Sequence, residues 1–222
     1  MTRDPVAAAV SHKPSRRELR DGSVIELREV RSTDKDALAS GFARLSPESR
    51  YRRFFSSLDH LSAADLAYLT EVDHHDHEAV IAFDPDGGTV GVARYVRGAE
   101  PDTAEVAVVV VDDWQGKGVG TALLERLTER AAENGIGQFV ALILQENAEA
   151  IELFRSIDAE AGEPRRTPDG YLELVIDVPP GRVHGTPLGR ALRTAAAGRV
   201  VIHPWRLMKA RLQALQQNRP DR

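Results

Sequence analysis

The chain has 222 residues, no cysteine and a net charge of −5. That length holds one well-buried domain with extensions, or two small ones, and the lack of cysteine excludes disulfides, thiolate metal sites and acyl-cysteine intermediates. No stretch approaches the roughly 18 apolar residues of a membrane span and Met1–Pro5 lacks a secretory core, so a cytoplasmic protein is expected.

The charge is polarised. Residues 181–222 carry nine Arg or Lys against a single acid, Asp221, hence +8, and the preceding 180 residues carry −13. Residues 1–18, with Pro5, Pro14, an Arg16-Arg17 pair and several alanines, are expected to be disordered. Alternation over Ser23–Val30 predicts a strand. Ser32 or Thr33 is expected to cap a helix over Asp34–Arg44, and Pro47 to open a short helix through Phe55. Ser62-Ala-Ala-Asp65 is a capping-box variant before Leu66–Val72. His77–Phe83 and Thr89–Tyr95 flank the hairpin turn Pro85-Asp-Gly-Gly88, and Thr103–Val111 is the next strand. The helix over Gly118–Asn134 stops at Asn134-Gly135. A buried strand Phe139–Leu144, a helix Ala148–Ile157 and a strand Gly170–Val178 complete an order of βααα-βββ-αβ-αβ. This predicts an α/β fold with a mixed sheet and helices on both faces.

Glu105–Thr121, EVAVVVVDDWQGKGVGT, is the segment richest in chemistry. A glycine-rich passage from strand to helix presents backbone N–H groups where the helix dipole is positive, which makes an anion site. The P-loop spacing fails, because Gly118 rather than Ser or Thr follows Lys117. The dinucleotide fingerprint fails too, because Thr121 stands where its third glycine belongs, and no acid closes the following strand. A plain tight turn is the alternative reading of such glycines.

Gln115-x-x-Gly118-x-Gly120 resembles the pyrophosphate-binding motif of the GNAT superfamily of acyl-CoA-dependent N-acyltransferases. The order of elements over about 19–180 is similar to that family as well, and the resemblance implies its mixed, mostly antiparallel sheet. It also implies acetyl-CoA as co-substrate and no metal. Gln115, Gly116, Lys117, Gly118, Val119, Gly120 and Thr121 would hold the pyrophosphate. The backbone of Val109, Val110 and Val111 would pair with the pantetheine arm like an added strand. Asn147, in NAEAIELF with Ala150 and Phe154, matches the family's pantetheine-binding asparagine, and it also suits a helix N-cap.

Leu19-Arg-Asp-Gly22, Leu45-Ser-Pro-Glu-Ser-Arg-Tyr51 with Arg53-Phe54-Phe55, and Val72-Asp73 are similar to bacterial protein lysine acetyltransferases of the Pat type. The expectation is their catalytic domain standing alone, followed by a basic tail over 181–222. The resemblance implies a protein lysine, or else a small amine, as acceptor. A lysine ammonium, with a reference pKa of about 10.4, must lose a proton before it attacks a thioester. Glu105 is the sole charge of its strand and matches the glutamate that Pat-type enzymes use as base; an ordinary strand-end glutamate is the plainer reading. Phe154 stands where many GNAT enzymes carry a proton-donating tyrosine. A water, another tyrosine such as Tyr51, or departure of CoA as thiolate would serve instead. Loss of catalysis, leaving a non-catalytic acyl-CoA-binding regulator, is the other alternative.

Asp73-His-His-Asp-His77 is read as a polar turn rather than a metal site. In the tail, Trp205, Met208, Leu212 and Leu215 recur at helical spacing with basic residues between them. Docking on the domain, a partner, or an anionic membrane surface would each use such a face. The acidic chain offers little to nucleic acid.

Overall fold

The computed structural model describes residues 13–54, 58–144, 164–168 and 170–178. In chain order these form β1 (Ser15–Glu18), β2 (Val24–Glu29), α1 (Lys35–Ala43), α2 (Pro47–Phe54), α3 (Ala63–Thr70), β3 (His77–Phe83), β4 (Thr89–Arg97), β5 (Thr103–Val110), α4 (Val119–Glu133), β6 (Gln138–Leu144), β7 (Arg165–Arg166) and β8 (Tyr171–Asp177). The strands make one sheet in the order β1-β2-β3-β4-β5-β6-β8-β7. β5 and β6 pair in parallel, and every other pairing is antiparallel. The parallel pair needs a crossover, which α4 supplies.

Both faces of the sheet are covered, as the strand patterns require. Facing residues Ala82, Ala93, Tyr95, Val106, Val108 and Phe139 cluster with Val119, Leu123, Leu127 and Ala131 of α4. The alternate residues Ala79, Ile81 and Val92 cluster with Leu38 of α1 and Leu69 of α3. Burying each large side chain of these clusters contributes about 1.5–3 kcal/mol. Among the described residues no helix is long and apolar enough to cross a membrane.

Polar residues pin α4 in register. Arg126 bonds Glu29 at 2.5 Å, Arg130 bonds Glu78 at 2.9 Å, and Glu125 pairs with Arg17. At its end Asn134 Nδ2 donates to the Tyr95 hydroxyl at 2.7 Å. A close approach fixes its beginning. A Cβ on Gly91 would lie 2.9 Å from Leu123 Cδ1 and from the Val109 carbonyl oxygen, and 3.3 Å from Val119 Cγ1. Gly91→Ala is therefore expected to lift the first turns of α4 off β4 and to lower stability by about 1–3 kcal/mol. Denaturant unfolding checks this; an unchanged midpoint would mean that α4 yields freely.

Several sequence expectations change. Residues 15–18 form β1, pairing Ser15–Glu18 with Leu27–Val24, inside the segment expected to be disordered. Neither Ser32 nor Thr33 caps α1; Asp34 occupies the N-cap without a side-chain cap bond. Its carboxylate instead accepts from Arg28 Nη1 and Nη2 at 2.7 and 2.8 Å and from the Arg31 N–H. The box at Ser62 is made in both directions with Asp65, and α3 begins at Ala63, before Leu66. β7 was not foreseen. The expected helix Ala148–Ile157 and the tail lie outside the described residues.

Candidate active site

The parallel pairing of β5 with β6 is short: Thr103, Ala104 and Glu105 face Gln138, Phe139 and Val140, and there it ends. Beyond Glu105, β5 continues beside β4 as far as Val110, while β6 continues beside β8 as far as Leu144. The sheet thus opens into a fork, with Glu105 at its vertex.

Register decides which backbone groups of β5 face this opening. The Val111 N–H donates to the Val90 carbonyl at 3.0 Å, and Gly91 stands opposite Val110. In an antiparallel ladder, residues that exchange bonds with one neighbour alternate with residues that turn the other way. Val109 and Val111 therefore bond toward β4, and Val106, Val108 and Val110 point into the fork. Of Val109, Val110 and Val111, the residues expected to offer a strand edge, Val110 alone turns its backbone into the fork in this register, together with Val108. The Val110 carbonyl accepts from Gln115 Nε2 at 3.0 Å, so Gln115 braces the turn against the strand.

At the mouth of the fork a short 3-10 turn, Asp112–Trp114, leads into the glycines. Gly116 has φ 75° and Gly118 φ 99°, and a Cβ on either would meet nothing within 4 Å. Glycine is required here by the left-handed backbone, not by crowding. Gly118 is the N-cap of α4, without a side-chain cap bond and with no acid in the first turn. The N–H groups of Val119 and Gly120 lie in that first turn, which has no intrahelical acceptors, while the Thr121 side chain is buried. Lys117 Nζ sits 4.6 Å from the Trp114 ring centroid, a cation–π contact that holds its charge beside the turn. Orphan donors, the positive end of a helix dipole and a lysine together can hold a phosphate or pyrophosphate.

A latch missed at the sequence level joins this turn to α2. Asp112 accepts from the Ser46 N–H at 2.8 Å and from the Ser46 and Ser49 hydroxyls at 2.9 Å each. Desolvation opposes the charge, yet these bonds outweigh it and hold the carboxyl below its ordinary value. Arg44 adds a bond to Asp113 at 2.8 Å. The signal was present in the sequence: serines at 46 and 49 around Pro47 cap a helix, and two adjacent aspartates await donors.

Glu105 is half-buried, with its Oε2 buried. Cross-strand pairing of Val96 with Glu105, Arg94 with Ala107 and Val92 with Val109 puts these side chains on the face covered by α1 and α3. The histidine turn has separate tasks for its members. Asp73 accepts from the His75 and His77 N–H groups, His74 bonds Glu78 and His75 bonds Asp76. His77 Nε2 lies 2.9 Å from Arg94 Nη1; arginine only donates, so this nitrogen accepts. Asn147 and Phe154 lie outside the described residues.

Comparison with known proteins gives a consistent picture. A sequence model of the Acetyltransferase (GNAT) family matches residues 41–158. The chain is 33% identical over 182 residues to the acetyltransferase Pat of Mycolicibacterium smegmatis, covering 81% of this chain and 53% of that protein. An acetyltransferase of Pseudomonas aeruginosa is 32% identical over 127 residues, 56% of this chain and 68% of the relative. The crystal structure of the GNAT domain of S. lividans PAT superposes with a TM-score of 0.68 at 34% identity, covering 75% of this chain and 98% of that domain. The chain thus spans about half the length of the Mycolicibacterium relative and nearly all of the isolated domain.

Proposed function

Because the chain belongs to the GNAT acetyltransferase family and is an acyltransferase similar to Pat, we propose that it transfers the acetyl group of acetyl-CoA to a protein lysine, with Glu105 as general base. The observation that carries this reading is the fork: a half-buried carboxylate at its vertex, the edge of β5 that no strand pairs with beyond Glu105 among the described residues along one side, and a helix N-terminus without a side-chain cap at its mouth.

Each part has a task. Gln115 to Thr121 hold the pyrophosphate through main-chain N–H groups, Lys117 adds charge, and Asn147 serves the pantetheine arm. Val108 and Val110 offer the strand edge to the pantetheine amides, and an N–H from the same edge steadies the tetrahedral oxyanion. Glu105 takes one proton from the ammonium, the amine nitrogen bonds to the thioester carbonyl carbon and gives its second proton to solvent, and the C–S bond breaks with its electron pair on sulfur. The thiolate leaves without a phenolic acid at Phe154, which a thiol pKa of about 8.5 tolerates. The domain begins at β1, earlier than the expected residue 19, and works in the cytoplasm.

Family membership favours this enzyme over a binding-only regulator. The test is CoA release with acetyl-CoA across a panel of lysine-bearing proteins and small amines, with the modified residue mapped by mass spectrometry. Multiple turnovers on a protein lysine are expected. Turnover confined to small amines would replace the acceptor, and tight acetyl-CoA binding without release from any acceptor would restore the regulator.

A further inference from the structure

On the Glu105 side of the sheet, α1 and α3 enclose a cavity of about 50 Å³ against β4 and β5. Leu38, Phe42, Leu69, Val92 and Val109 make most of its wall, and only Thr89 and Arg94 bring polar side chains to it. The Thr89 hydroxyl is buried without a hydrogen-bond partner among the described residues. Arg94 is 3% exposed, and burial pulls its guanidinium down to about 10.

Arg94 donates to His77 Nε2 at 2.9 Å and to the Leu69 carbonyl, in the last turn of α3, at 3.2 Å. These bonds use two of the five donors of a guanidinium. No carboxylate pairs with it among the described residues. A desolvated cation without an anionic partner is costly, and such groups in clefts mark functional sites. Its position agrees. Arg94 stands opposite Ala107, and Glu105 is two residues along the same strand face, a diagonal neighbour at about 7–8 Å. Val109, which walls the cavity, lies between Val108 and Val110, the residues whose backbone faces the thioester in the proposed site.

We propose that this cavity is a carboxylate-binding subsite of the acyl-transfer site, in which Arg94 receives the carboxylate of a short aliphatic substrate group. The inference rests on the acyltransferase site proposed above. The carboxylate has two possible sources, the far end of a dicarboxylic acyl group carried by CoA or the amine acceptor itself. In both cases the bond changes are the same: nitrogen bonds to the acyl carbon, sulfur departs with the electron pair, and the two protons lost by the ammonium go to Glu105 and to solvent. The carboxylate only positions.

Matched substrate pairs test it on the full chain. Succinyl-CoA is compared with butyryl-CoA on a lysine peptide, and free lysine with lysinamide using acetyl-CoA. One pair is expected to favour its carboxylate member roughly tenfold or more in kcat/KM, the scale of a charge-assisted hydrogen bond, and that pair identifies the source. In Arg94→Gln the preference should collapse toward one, and Arg94→Lys should restore part of it. If wild type prefers neither carboxylate member, the subsite is refuted, whether or not the variants fold. Thermal stabilisation by the same acyl-CoA pair and by the same two amines repeats the comparison without turnover. Stabilisation by acetyl-CoA with no carboxylate preference refutes the subsite alone; no stabilisation by any acyl-CoA refutes the acyltransferase site beneath it.

Discussion

Glu105→Gln is expected to lower turnover about 10²–10⁴-fold, the usual contribution of a positioned general base, which is about 2.7–5.4 kcal/mol of barrier at 1.36 kcal/mol per decade. Glutamine keeps the shape and the partial burial of the side chain but cannot take the proton of an ammonium. Cofactor affinity should barely change, because the proposed pyrophosphate contacts lie ten residues further along the chain. Wild-type kcat/KM should rise with pH to a plateau, and that limb should alter in the variant. Steady-state kinetics with acetyl-CoA and a validated acceptor decide the matter. Near-normal turnover in Glu105→Gln would hand proton removal to another group or to solvent.

The fork that frames this expectation was only half legible in the sequence. The strand of valines, the glycines and the helix stop at Asn134-Gly135 follow from local rules, and β5 and α4 lie within a residue of their expected ends. Which backbone groups of β5 remain open does not follow locally. It depends on the Val111–Val90 bond and on the partner strand's register, which turn Val108 and Val110 toward the opening where Val109, Val110 and Val111 were expected. A tertiary partner also overrode a local rule at Asp34. Arg28, six residues earlier on a strand, claims the carboxylate, and no count of capping residues reveals that. β1 was hidden because three of its four residues, Arg16, Arg17 and Glu18, are charged. An edge strand stands half in water and needs little apolar pattern to pair. Arg94 lies inside the expected strand Thr89–Tyr95 with nothing in the sequence to single it out; only the cover of α1 and α3 makes it a buried cation.

Gly118→Glu is expected to abolish the rise in melting temperature that acetyl-CoA gives the wild type. A ligand present at 100 times its Kd stabilises by about 2.7 kcal/mol, so the wild-type shift is easily measured. Two effects act in the variant. The residue must hold φ 99°, which costs a side-chain-bearing residue about 1–3 kcal/mol. The new carboxylate also enters the open space beside the first turn of α4, where it repels a pyrophosphate and occupies its donors. Strain alone would lower the melting temperature without ligand yet leave the ligand-induced rise intact. Gly135→Glu separates the two, because Gly135 also has positive φ, 73°, and equally open surroundings. It follows the other end of the same 15-residue helix, about 25 Å from Gly118 at 1.5 Å per residue. The control should lose stability and keep the acetyl-CoA response; Gly118→Glu should lose both. If Gly118→Glu keeps the full response, the cofactor's pyrophosphate does not sit on this turn, and the proposed site loses its anchor.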